Sequence, residues 1–244
     1  MIKKIFIVFT FIFIGCNQLV EKTSPLEGIY YILDGWEKFQ EENYDRAHDL
    51  FSTVLLNNNT QYFGEAYLGL EWNSIYKANT IQGVYSFSER QYQRDISNQY
   101  FNLASEYIQD SETCSLANDC ESSSLCKNLL VGQAYNSSYQ ALEASRQFYD
   151  YGLDSSNWVD MTIYSDSTIY YSSWLFDECS PNEDYEFEYD TAIDYQSIRI
   201  LRAQTYARLA DFDSAYLELI LIDDLNCDFN TQTVIECLNS LDFE

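Results

Sequence analysis

The sequence predicts an all-α protein carrying one small irregular or β insertion. Three observations lead there. Proline and glycine are scarce, 2 and 8 in 244 residues, too few for the many tight turns of a β-sandwich. Apolar residues make up 46% of the chain and aromatics 17%, which is ample for a packed core and unlike a disordered segment. Ala47, Leu50, Phe51, Val54 and Leu55 recur at helical spacing and leave His48 and Asp49 outside.

The chain opens on a segment that does not belong to this fold. Lys3 and Lys4 precede the apolar run Ile5 to Ile14, broken only by Thr10. A bilayer core takes roughly 20 residues to span, so this run has the length of a secretory signal rather than a membrane helix. It ends in Phe13-Ile14-Gly15-Cys16, which resembles the bacterial lipoprotein signal, in which a small residue precedes an obligatory cysteine. The resemblance implies cleavage after residue 15, lipidation of Cys16 and a short polar tether over residues 16–25. Two or more acyl chains give a stable anchor where one is marginal. The signal implies a lipid-anchored location in the bacterial cell envelope. The outer membrane, on its periplasmic or surface face, is the expected site, although Asn17 after the cysteine does not itself separate inner from outer membrane.

The charge excludes one large class of partner. Thirteen basic residues face 39 acidic ones, for a formal net charge of −26. Nucleic-acid affinity comes mostly from Lys and Arg neutralising phosphates, so no nucleic-acid partner is expected. Basic rather than acidic ligands would be drawn to such a surface.

The repeat appears next. Residues 35–55 read GWEKFQEENYDRAHDLFSTVL, and the pair Asp34-Gly35 is echoed later by Leu68-Gly69. Residues 203–222 carry Tyr206, Ala210, Phe212, Ala215 and Leu219. These segments resemble the tetratricopeptide repeat (TPR), in which small residues let two antiparallel helices approach and successive hairpins stack. The offset from Gly35 to Gly69 is that family's period of about 34 residues. Ala215 follows Ala47 at close to five such periods. The resemblance implies a TPR-like α-solenoid of five or six helix pairs over residues 26–244, within a bacterial TPR lipoprotein. Asn57-Asn58-Asn59 would end the second helix.

Between the two firm repeats, periodicity alone predicts helices over 60–78, 86–111 and 125–151, and a capping helix near 231–241. Residues 153–190 break the pattern. Met161-Thr162-Ile163-Tyr164 and Thr168-Ile169-Tyr170-Tyr171 are rich in β-forming types, and Tyr185-Glu186-Phe187-Glu188-Tyr189 alternates with period two. These features predict a small hairpin inserted between repeats.

Six cysteines remain after Cys16: Cys114, Cys120, Cys126, Cys179, Cys227 and Cys237. An even number in an exported chain predicts disulfides, with proximity favouring one bridge inside 114–126 and another between Cys227 and Cys237. The spacing in the 114–126 cluster does not match zinc-ligand pairs, and no histidine is near.

No catalytic, metal or cofactor site is expected. His48 is the only histidine and reads as a solvated surface residue. Asp224, Asn226, Asp228 and Asn230 alternate like the start of a calcium loop, but Phe229 and Ile235 stand where that loop needs Gly and Glu. The run Glu183, Asp184, Glu186, Glu188 and Asp190 reads as a charged edge that discourages strand pairing. No nucleophile, base and orienting group can be placed together, so the chain does not read as an enzyme.

What the TPR resemblance implies is a partner-binding groove lined by the first helix of each hairpin. By phase this groove takes Ile29, Ile32, Trp36 and Phe39 on the first repeat, Asn73 and Ser74 on the second, and Ser197, Gln204 and Arg208 on the last. Arg199, Arg202 and Arg208 form a basic cluster able to meet a carboxylate. The function expected is a membrane-anchored envelope scaffold or adaptor whose partner is a protein or peptide. The alternatives are the TPR lipoprotein of the outer-membrane β-barrel assembly machine, and a surface lipoprotein that captures glycans or nutrients.

Overall fold

The computed structural model describes residues 25–56, 60–83, 86–110, 123–150, 154–180, 183–222, 225, 227–229 and 233–241. The signal segment, Cys16 and its tether to residue 24, Asn57 to Asn59, Cys114, Cys120, Asp224, Asn226 and Asn230 lie outside them. The described chain is all-helical. Its helices are α1 Pro25–Gln40, α2 Tyr44–Leu56, α3 Phe63–Thr80, α4 Phe87–Asp110, α5 Ser124–Asp150, α6 Ser155–Trp174, α7 Tyr195–Arg208, α8 Phe212–Leu219 and α9 Val234–Ser240.

Each helix packs on its successor in four consecutive pairs: α1 on α2, α3 on α4, α5 on α6 and α7 on α8. The first helices also meet in succession, α1 with α3, α3 with α5 and α5 with α7. Four pairs and a final helix therefore stand among the described residues where five or six pairs were expected. The difference comes from length: α4, α5 and α6 run 24, 27 and 20 residues, and absorb chain that shorter hairpins would divide.

The first and last hairpins turn in the same way. Glu42 and Ala210, at the equivalent turns of these two hairpins, both adopt the left-handed conformation, with φ of 59° and 61°. Asn43 N–H donates to Lys38 O, and Asp211 N–H donates to Tyr206 O, both at 2.9 Å. These bonds satisfy carbonyls that the ending helix leaves open. The next helix is then capped by Asn43 Oδ1, accepting from Arg46 N–H, or by Asp211, accepting from Ser214 N–H.

Close packing of the first hairpin on α3 centres on Phe51. A Cβ added at Gly35 of α1 or at Gly69 of α3 would come within 2.6 or 2.5 Å of its ring. The two glycines, 34 residues apart, thus clear space for one aromatic side chain on the helix between them. The main core continues through Leu68, Leu70, Trp72 and Ile75 of α3, Ala104 and Ile108 of α4, and Leu129 to Val131 of α5. A second cluster joins Ala203, Ala215, Leu219, Ile222 and Cys237. The expected Cys227–Cys237 disulfide is present and ties α9 to the chain before it. Cys126 and Cys179 are also disulfide-bonded and wholly buried.

The expected β insertion is corrected: residues 155–174 form α6, which continues into a π-helical turn at Leu175–Cys179. Met161, Ser165, Thr168, Ser172, Leu175 and Cys179 are its buried positions, spaced as one side of a helix. Small Ser and Thr side chains on that seam permit close approach to α5. Their hydroxyls return to the helix backbone, as when Ser172 Oγ donates to Thr168 O at 2.7 Å. Residues 185–189 are not a strand either. Among the described residues the only β pairing is an isolated antiparallel bridge between Glu186 and Asp194.

Candidate functional site

The stretch after α6 decides which surfaces are open. Tyr185, Phe187 and Ile193 are buried, while Glu186 and Glu188 point outward, so the period-two pattern is real without a strand. Phe187 stacks on Trp72 with ring centroids 4.3 Å apart, and Tyr189 stacks on Trp36 at 3.8 Å. Tyr185 Oη donates to Asn128 Oδ1 at 3.0 Å, and Tyr76 Oη donates to Asp190.

This loop therefore seals the face of α1 and α3 that was expected to receive a partner. Ile32, Trp36 and Phe39 are at most 3% exposed and belong to the core. Asn73 and Ser74 are buried inside α3, where Ser74 Oγ donates to Leu70 O. Of the expected residues on the first two hairpins, only Ile29 is exposed.

The last-hairpin residues fare differently. Ser197, Gln204 and Arg208 fall on one face of α7, together with Leu201, and line a cavity of about 700 Å³. The opposite wall is a single face of α5: Tyr135, Tyr139, Leu142, Glu143 and Arg146, spaced as successive helical turns. Arg90 and Arg94 of α4, Asn79 in the last turn of α3 and residues 81–83 after it complete the lining. Four arginines thus converge on one cavity of a strongly acidic chain.

Their states differ. Arg90 Nε and Nη2 donate to the two oxygens of Glu143 at 2.6 and 3.0 Å, and Nη1 donates to Gly83 O. Arg94 donates to Ile75 O and to Asn79 Oδ1 and lies over the Tyr139 ring, 4.4 Å from its centroid. Burial lowers its pKa to about 10. Arg146 approaches Glu143 only to 3.8 Å, from a mostly exposed side chain. Arg208 has no ion-pair partner among the described residues, its Nη1 is buried without a hydrogen bond, and burial, aided by Arg146, lowers its pKa to about 10.

The expected cluster of Arg199, Arg202 and Arg208 is accordingly divided. Arg199 Nη1 and Arg202 Nε donate to Glu218 at 2.9 and 2.7 Å, and Arg199 also pairs with Glu183 of the acidic run. Only Arg208 faces the cavity. The sequence reading missed Arg90, Arg94, Arg146 and the α5 wall; the spacing of Tyr135, Tyr139, Leu142 and Arg146 was the available signal.

Two other polar features lie apart from the cavity lining. His48 is half-buried rather than solvated, with Nδ1 3.5 Å from Ser52 Oγ, and burial lowers its pKa. Glu71 is wholly buried beside Gly132, neither oxygen has a hydrogen-bond partner, and burial raises its pKa well above the ordinary range. Among the described residues no group of three or more His, Cys, Asp or Glu could hold a metal ion, and no helix is long and apolar enough to cross a membrane. Compared with known protein families, curated proteins and solved structures, the chain has no match.

Proposed function

We propose that the chain is an exported, lipid-anchored bacterial envelope protein that works as a TPR-like scaffold or adaptor and holds a polypeptide partner. The reading is supported by the pairwise order of α1 to α8, by the matching turns at Glu42 and Ala210, and by the two glycines around Phe51. The signal segment and Cys16 supply the anchor. The observation that carries the partner is the cavity beside α5 and α7, where the first helices of neighbouring hairpins offer side chains to a common space. Trp36 and Phe39 have no part in it: Phe187 and Tyr189 cover Trp36, and Phe39 packs against Tyr44 and Tyr76.

In-cell photo-crosslinking tests this. A photoreactive residue at Gln204 is expected to capture one reproducible envelope protein, and the same residue at exposed Tyr170 is not. Recovery of barrel-assembly components would identify that machine as the setting. No protein captured from Gln204 would end the adaptor reading. Loss of lipid labelling in Cys16→Ser tests the anchor separately.

A further inference from the structure

The cavity between α4, α5 and α7 carries a charge imbalance that the described fold leaves open. Glu143 is its only acidic lining residue, and both its oxygens are taken by Arg90. Arg94 is held by a carbonyl, an amide and an aromatic face, none of which cancels its charge. Arg208 has a buried Nη1 with no acceptor and sits one helical turn beyond Gln204 on the same wall. Burying a guanidinium without a counter-charge is costly, so such a group is kept where something else supplies the acceptor.

The rest of the lining narrows what that something is. Tyr135, Tyr139, Leu142 and Leu201 give the cavity apolar walls, which suit an organic body rather than a bare ion. Its volume of about 700 Å³ lies within the usual span of small-molecule sites. The chain's formal charge of −26 repels polyanions more strongly than monoanions on approach. A planar guanidinium fork matches a carboxylate with two parallel hydrogen bonds.

We propose that this cavity binds an organic carboxylate, with Arg208 pairing the carboxylate and the tyrosine and leucine walls covering its apolar body. The carboxylate belongs either to a free small molecule or to a partner polypeptide. The chemistry rests on the cavity alone and does not depend on the adaptor reading.

Titration calorimetry on the purified full chain decides it, using phenylacetate, its neutral isostere phenylacetamide, and inorganic phosphate. Phenylacetate is expected to bind and to shift the Nε–H resonance of Arg208, with phenylacetamide at least about tenfold weaker. Arg208→Gln is expected to weaken phenylacetate roughly tenfold to a hundredfold. Should that variant fail to fold, the acid–amide comparison on the unaltered chain still gives the answer. A peptide with a free terminal carboxylate, set against its amide, forms the second arm. Binding of phenylacetate assigns a free small molecule, and binding of the peptide acid alone assigns a polypeptide source. Equal binding of acid and amide, displacement by phosphate, or no binding in either arm overturns the proposal.

Discussion

Trp36 of α1 lies flat against Tyr189, with ring centroids 3.8 Å apart and planes within 3° of parallel. The two residues are distant in the chain, and their contact turns what reads as an open groove into core. Phe187 completes the plug, stacked on Trp72 and edge-on to Trp36. Phe187→Ala is expected to cost about 3–5 kcal/mol, the usual loss for a fully buried phenylalanine. Tyr189→Ala should cost less, about 1–2 kcal/mol, because its ring is only half-buried. Urea unfolding gives both numbers, and tryptophan emission should move to longer wavelength as Trp36 meets water. An unchanged midpoint and spectrum in Tyr189→Ala would show that the loop does not seal that face.

Phe51 packs against Gly35 of α1 and Gly69 of α3. In an ordinary helix Gly→Ala stabilises by about 1 kcal/mol. At Gly69 the sign should reverse, since the new methyl would come within 2.5 Å of the Phe51 ring. Overpacking of this kind costs about 1–3 kcal/mol. Shortening the aromatic by Phe51→Leu should relieve the clash, so the double variant is expected to be more stable than the two single effects predict. Additive losses in that cycle would mean that the two positions do not share space.

These cases show which parts of the structure were legible in the sequence. The helices at 63–80, 87–110 and 124–150 followed from apolar spacing, and the relation of Ala47 to Ala215 was visible as a phase. Helix α6 was not, because its seam is built from Ser165, Thr168 and Ser172, whose types suggest strand or loop until their spacing is counted. The covered groove was not legible either. Trp36 and Phe39 have the right phase for a partner face, and nothing local says that Phe187 and Tyr189 return to fill it. Phase alone placed Ser197, Gln204 and Arg208 on one face of α7, the face that lines the cavity. Arg94 and Arg146 were missed because they join that site only through the packing of α4 on α5 and of α5 on α7.

Glu218 holds two guanidinium groups at once, Arg199 at 2.9 Å and Arg202 at 2.7 Å, and all three side chains are nearly buried. Removing the shared acid strips Arg202 of its counter-charge and leaves Arg199 with Glu183 alone. Glu218→Ala is expected to cost about 3–5 kcal/mol, far more than an exposed ion pair. Replacing Arg202 alone should cost less, because Glu218 keeps Arg199. Thermal unfolding of the two variants orders them, and equal losses would contradict the shared arrangement.

Ala210 holds a left-handed backbone, φ 61°, at the turn from α7 to α8. A non-glycine residue loses about 1 kcal/mol in that conformation. Ala210→Gly should therefore stabilise the hairpin by about 0.5–1 kcal/mol, and Glu42→Gly should do the same at the equivalent turn. Chemical denaturation measures both. A loss of stability at either turn would mean that the side chain contributes more than its backbone conformation costs.

Glu71 gives a prediction in pH. Burial without a hydrogen-bond partner raises its pKa well above the ordinary 4.5, so the folded chain keeps a proton that the unfolded chain releases. Where the folded state binds the extra proton, stability falls as pH rises. The contribution is fully present below about 4.5 and declines above it, at about 1.4 kcal/mol per pH unit, until the folded-state pKa is passed. Glu71→Gln keeps the shape and removes the titration. The variant should match the parent near pH 4 and exceed it at neutral pH, with a gap that widens between. Gly132 lies beside one carboxylate oxygen, so the larger Glu71→Met is a poorer test than the isosteric amide. Parallel stability curves for parent and Glu71→Gln across that window would mean that the carboxyl is not held neutral by the fold.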